Sequence, residues 1–523
     1  MTTETNTGQP GQAGEPGEPT DGAGGAAAAA VAVVGAVAVD EAGTGVATAE
    51  ERVRSEEPTA EPRRRHTRSH VRSGGPGVSL GTTPPGLSPF WRRALVALLA
   101  VQVIIIVTAG IVVAAQFKFP SVIDEDAHYS YVQQIAQHGS LPVLGKTETS
   151  LQGLALEQGI YPRPTTINPR TDGLGGLSYE AFQPPLYYIT AVPAFDITGN
   201  YKDKVYALRA YGVLLLLVSV VLAARLSRAV LRERWMIGWS IGMVFFALPG
   251  VVVRFATIGN VGLAVLLAIL FATELWVAWD RHATGRYMVA GAVLGLCVLT
   301  QLEMVILGPV FALVVVAEVW HRRSFRSWRP LIVAVAIPLL LVAPWFAFNE
   351  ANYHMLTAGP IAIEEQTEIN NPHHVHYSIS QLPNDTVNSI LDPTLPAEWG
   401  NALYGHAALA YLDQLLVVLL VPAGLVLALG LGRRLWTIRS GILGLPWILS
   451  VLEMWYIRYG EQWLIFARYT YPTLPILLVL VGEATETFRA RFLPVVVSAG
   501  ATASLICIWA FFLFSFSGTW SIR

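Results

Sequence analysis

The chain has 523 residues, of which 53% are hydrophobic and only 14% charged, and its mean hydropathy is +0.47. Ordinary soluble domains carry nearer a quarter charged residues, so the composition argues for a bilayer as solvent and excludes an average water-soluble globule. The formal net charge of -2 makes no case for nucleic-acid binding, and Cys297 and Cys507 both fall inside apolar runs, which argues against a disulfide framework.

Residues 1–88 are rich in Gly, Pro, Ala, Thr and Glu and offer no sustained apolar face, so they are expected to form a disordered cytoplasmic tail. The apolar stretch from Ala26 to Val39 has 14 residues, short of the roughly 20 that cross a bilayer, and acidic rather than basic residues precede it. Arg63, Arg64, Arg65, Arg68 and Arg72 form a basic run suited either to solvent or to anionic lipid near the first span.

From Arg93 onward the chain falls into about eleven apolar segments of spanning length, which predicts an all-α integral membrane fold. The expected spans are 94–116, 206–228, 235–253, 260–279, 286–301, 303–320, 330–348, 411–431, 440–457, 467–482 and 492–516. A cytoplasmic N-terminus puts Arg225, Arg228, Arg232, Arg234, Arg281, Arg286, Arg322, Arg323, Arg326, Arg329, Arg433, Arg434, Arg439, Arg489 and Arg491 all inside. Two large extracytoplasmic loops with surface helices then follow, at 117–205 and 349–410. They divide the chain into a transmembrane core over 89–348, the second loop, and C-terminal helices over 411–523. The stretch from Asn349 to His406 contains no Lys or Arg, as an outside loop should.

The first loop opens with Asp124, Glu125 and Asp126, followed by His128 and Tyr129. Three acids at a membrane surface repel one another and lie partly desolvated. That setting raises a carboxylate towards general-base use or gathers a divalent cation, with plain solvated loop acids as the alternative. Residues 127–139 carry apolar positions at helical spacing and predict a helix lying along the membrane surface. Tyr179 and Glu180, then Gln183-Pro184-Pro185-Leu186-Tyr187-Tyr188, precede the second span. There the proline pair fixes an extended turn and the tyrosines suit headgroup anchors.

This succession resembles the GT-C membrane glycosyltransferases: acids after the first span, His, a surface helix ending in Gly139-Ser140-Leu141-Pro142, the Gln-Pro-Pro-Leu-Tyr-Tyr segment and Ala207-Leu208-Arg209. It is most similar to the family 39 type, which includes protein O-mannosyltransferases and the lipid A aminoarabinose transferase. The resemblance runs over about residues 90–350 and returns at Ala467-Arg468-Tyr469 with Pro472 and Pro475. It implies an inverting transferase whose donor is a polyprenyl-phosphate sugar and whose catalytic base is an acid of the first outside loop. Carried over by position, Asp124 is the expected base, and Glu125 its neighbour that orients the acceptor or shapes the local charge. Asp126, His128, Glu180, Gln183, Tyr187 and Asn260 are the expected substrate-loop residues. A departing phosphate needs a cation near the membrane surface, and Arg468 and then Arg254 are the expected ligands. The acceptor is extracytoplasmic, and membrane lipids are the other partners.

Two positions depart from the relatives. Asn260 is followed by Val261 where they often have Asp, and Thr300 by Gln301 where they often have Lys. Both changes remove a charge, which keeps open a non-catalytic lipid-linked-sugar binding protein or transporter on the same fold. In the second loop, His373, His374 and His376 near Glu364, Glu365 and Glu368 offer His-x-His spacing that a divalent metal ion could use, with a hydrophilic loop as the alternative.

Overall fold

Apolar runs bounded by arginines become helices, because only a helix satisfies its own backbone polar groups in hydrocarbon. The computed structural model describes residues 87–117, 119, 125–147, 179–323, 325–362, 437–457, 467–484 and 492–516. The N-terminal tail as far as residue 86, the expected span 411–431 and most of the second loop lie outside them.

The described helices are α1 (Pro89–Gln116), α2 (Glu125–His138), α3 (Leu186–Asp196), α4 (Tyr201–Leu231), α5 (Trp235–Ala247), α6 (Pro249–Ala256) and α7 (Val261–Arg281). They continue as α8 (Thr284–Thr300), α9 (Leu307–Arg322), α10 (Phe325–Tyr353), α11 (Ile438–Trp455), α12 (Leu474–Ala484) and α13 (Leu493–Phe516). Among the described residues there is no strand. Six helical stretches are long and apolar enough to cross a membrane: Pro89–Gln116, Tyr201–Ala247, Val261–Arg281, Leu302–Arg322, Trp328–Tyr353 and Leu493–Ala510. Thr284–Thr300 and Leu474–Glu483 are shorter apolar helices. The chain is a multi-pass helical membrane protein.

Two expected spans are interrupted. The segment expected as one helix over 235–253 stops at Ala247; Leu248 is extended (φ -60, ψ 129) and α6 restarts at Pro249. Proline disfavours helical geometry at the residue before it, and this imposes the break. The span expected over 467–482 is helical only from Leu474. Before it come a 3-10 turn, Ala467–Thr470, and further turns through Pro472, which has no backbone donor to continue a ladder.

Helix α4 packs on α1, α5, α6 and α7, while α8 lies against α7 and α10, and α13 against α1 and α5. Gly212 of α4 lies so close to the Phe255 carbonyl of α6 that a Cβ would collide with it, and Gly291 of α8 meets the Ala334 carbonyl of α10 in the same way. Small residues let membrane helices approach in this manner. A buried polar staple joins α1 to α13: Gln102 Nε2 donates to Ser498 O and to Thr502 Oγ1, both at 3.1 Å.

The ends of the bundle differ. One, the arginine end, ties five helices together through Glu274 with Arg225 (2.6 Å) and Arg286 (2.7 Å), Asp280 with Arg439 (2.6 Å), and Glu318 with Arg322 (2.6 Å) and His282 (2.8 Å). The other, the loop end, holds α2, α3 and the turns between α6 and α7 and after α8.

Candidate active site

Helix α2 begins with two acids in its first turn, where the helix dipole favours negative charge, and stops at Gly139, whose φ of 65 suits only glycine at that cap. Its span agrees with the expected surface helix, yet residues 125–133 are all buried, and α2 packs against α3. Tyr129 supplies much of that packing, with ring contacts to Phe195 at 5.6 Å and Tyr201 at 5.2 Å.

Glu125 is 0% exposed and faces Arg209 of α4, which is 1% exposed. Glu125 Oε1 accepts from Arg209 Nε, Oε2 from Arg209 Nη2, both at 2.8 Å, and Oε1 also accepts from the Ile258 backbone N–H at 3.1 Å. Arg209 Nη1 donates to Phe117 O at 2.7 Å and to Ala114 O at 3.3 Å, so one guanidinium closes the end of α1 while forming a bidentate pair with the first loop.

The turn between α6 and α7 is the second wall. The Gly259 N–H donates to Tyr187 Oη at 3.1 Å, and Gly259 lies under the His128 ring, where an added Cβ would stand 3.4 Å from Cδ2. Asn260 Nδ2 donates to Gln183 Oε1 at 3.3 Å and to the Thr300 carbonyl at 3.2 Å. His128 Nδ1 is 2.8 Å from Tyr188 Oη and 3.9 Å from Glu180 Oε2. Tyr131 stacks on Tyr188 with centroids 3.7 Å apart, and its hydroxyl donates to Gln183 O at 3.1 Å. Burial pushes the Tyr131 and Tyr187 phenols well above their ordinary range, so both stay neutral hydrogen-bonding groups.

Of the expected site residues, Glu125, His128, Glu180, Gln183, Tyr187 and Asn260 come together here, with Asp126 buried beside Glu125. The tyrosines are not headgroup anchors: Tyr187 and Tyr188 are both fully buried, because the proline turn directs α3 inward against α2 and α4. Asp124, His373, His374 and His376 lie outside the described residues, as does the side chain of Arg468, whose backbone belongs to the turn before α12. Arg254 is half-buried on α6 and engaged by neighbours. Among the described residues no group of three His, Cys, Asp or Glu could hold a metal ion. Sequence reasoning missed Arg209, which it counted as one more span-end arginine. The signal was an arginine flanked by apolar residues, since an ion at that depth needs a partner.

No family model and no curated protein matches the chain. Solved structures similar to it include ArnT from Cupriavidus metallidurans bound to undecaprenyl phosphate, at 15% identity and a TM-score of 0.46, covering 81% of this chain and 64% of that one. The apo form of the same protein matches at 14% identity and a TM-score of 0.44, over 76% and 60% of the two chains. The archaeal oligosaccharyltransferase AglB from Archaeoglobus fulgidus, in complex with an inhibitory peptide and a dolichol-phosphate, matches at 13% and 0.42, over 80% and 55%. The chain thus spans less than two-thirds of each. All are GT-C membrane glycosyltransferases, the superfamily that the first-loop motifs resemble.

Proposed function

We propose that this membrane protein is an inverting glycosyltransferase that passes a sugar from a polyprenyl-phosphate carrier to an extracytoplasmic acceptor. The observation that carries the reading is convergence. The acid segment, the Gln-Pro-Pro-Leu-Tyr-Tyr segment, Ala-Leu-Arg and Asn260 are scattered over more than 130 residues, yet hydrogen bonds join them at one end of the bundle. The polyprenyl-phosphate donor, the outside placement of the loop end and the cytoplasmic N-terminus rest on the sequence resemblance and on the bias of the arginines.

Asp124 is the base. The acceptor oxygen attacks the anomeric carbon from the face opposite the leaving group, its proton passes to the Asp124 carboxylate, and the bond from anomeric carbon to phosphate oxygen breaks, with inversion. Polyprenyl phosphate leaves with the electron pair, and Arg468 and Arg254 are the cations for its charge. Both oxygens of Glu125 are engaged, so it positions the loop and takes no proton; Arg209 fixes it there. His128, hydrogen-bonded to Tyr188 and near Glu180, orients groups on the same face.

The test is transfer of labelled sugar from a polyprenyl-phosphate donor by the full chain. Asp124→Asn, folded and expressed as the parent, is expected to abolish transfer, and retained transfer removes Asp124 from the base role. Val261 and Gln301, buried and uncharged at this end, favour one second reading, a protein that binds the lipid-linked sugar without turnover. Donor binding by the parent with no transfer to any acceptor fraction would select it.

A further inference from the structure

Thr300 ends α8 with its carbonyl held by Asn260, after which the chain runs extended through Gln301 (φ -152, ψ 126) and tightens into the 3-10 turn Leu302–Ile306. Gln301 is 3% exposed, and its amide oxygen is buried without any hydrogen-bond partner. Glu303 stands in the turn that follows. Helix α11 packs against that turn and brings in Glu453, whose Oε2 is also buried without a partner. The Glu303 carboxyl is close enough to act on the charge of Glu453, and Glu303 is engaged by further neighbours of its own. The open acceptors are therefore Gln301 Oε1 and Glu453 Oε2.

Native chains satisfy nearly all buried polar atoms, and an acceptor left without a donor marks a place where something else supplies one. Here an amide oxygen and a carboxylate oxygen go unpaired beside a second carboxylate, directly after the Asn260–Thr300 contact that bounds the candidate active site. A hard cation needs six or more oxygens, or an octahedral set completed by water, and these residues supply too few. Hydroxyl groups need only one acceptor each, and an amide with carboxylates offers that.

We infer that Gln301 and Glu453, with Glu303 beside them, form a subsite that accepts hydrogen bonds from the hydroxyls of a neutral glycosyl group and repels sugars carrying a carboxylate. The inference rests on the glycosyl-transfer reading and names the sugar class for it. Gln301 reads a hydroxyl by geometry; Glu453 and Glu303 reject a uronosyl group by charge.

The test uses the full chain in lipid nanodiscs, with saturation-transfer NMR to methyl hexopyranoside and methyl hexuronoside. The parent is expected to contact the hexoside and to bind the uronoside about tenfold more weakly, the scale of one hydrogen bond to a charged group. Gln301→Met is expected to weaken the hexoside by about tenfold, while Gln301→Glu, which keeps an acceptor, retains it. Glu453→Gln is expected to narrow the gap between the two sugars. Unchanged hexoside binding in Gln301→Met, no hexoside contact in the parent, or equal binding of hexoside and uronoside overturns the inference. If Gln301→Met fails to fold, the gap measured in Glu453→Gln decides: an unchanged gap overturns the inference. Lost glycosyl transfer with glycoside binding intact counts against the enzyme reading alone.

Discussion

Both ends of the bundle bury carboxylates against arginines, but they do so in opposite ways. At the arginine end the carboxylates are dry and their partners wet: Glu274 is 2% exposed, while Arg225 and Arg286 are 49% and 39% exposed. Each acid there has two basic partners, so water and a second cation share the load of any loss. At the loop end, Glu125 and Arg209 are both shut away, and the remaining donors come from the Ile258 backbone N–H and the remaining acceptors from the end of α1. The first arrangement fastens helices. The second fixes one loop in one place, as a site needs and a bundle does not.

That contrast can be broken most forcefully at Glu125. Arg209→Met leaves a dry carboxylate without its cation, and stranding a buried charge costs about 3–5 kcal/mol. A fall in melting temperature with loss of donor binding is expected. Arg209→Met combined with Glu125→Gln should recover much of the stability, because no bare charge is left, yet no function, because the loop is no longer pinned. If the double variant melts no higher than the single one, charge burial is not what holds this end together.

A smaller effect is expected where backbone meets backbone. Gly212→Ala would drive a methyl into the Phe255 carbonyl and push α6 from α4, at about 1–3 kcal/mol for overpacking, and with α6 would go the turn that carries Ile258 and Gly259. Smaller still is Tyr188→Phe. It removes the hydroxyl beside His128 Nδ1 and leaves a buried ring nitrogen short of a partner, at about 1–3 kcal/mol of which neighbouring groups can recover part. Transfer should fall further than stability in this variant. Equal falls would make His128 a packing residue and weaken the distinction between the two ends.

The sequence carried the ends of the bundle better than their interior. The arginines expected together, among them Arg225, Arg286, Arg322 and Arg439, do share one end, because the positive-inside bias is a sum over loops and needs no contact to be known. Helix α2 was legible to within two residues at its start, since its spacing and the glycine that stops it are local. What was lost is non-local or masked by apolarity. The Glu125–Arg209 pair joins residues 84 apart, and nothing in either neighbourhood names the other. The break at Leu248 was written in Pro249, but a window that counts hydrophobic residues passes over one proline. Tyr187 and Tyr188 suited a membrane surface by type; only the inward turn at Pro184 and Pro185 buries them.

The mildest perturbation sharpens the contrast most. Glu274→Gln keeps the shape of the side chain at the arginine end and removes a charge shared by Arg225 and Arg286, both of which can turn to water. Pairs with exposed partners are worth about 0–1 kcal/mol, so the melting temperature should barely move and should lose part of its salt dependence. The same neutral exchange at the loop end, Glu125→Gln, leaves Arg209 as a buried cation with only backbone acceptors, and the loss should be several times larger and insensitive to salt. A similar cost at both positions would mean that solvent reaches Arg209, and Glu125 would then be a fastener like Glu274.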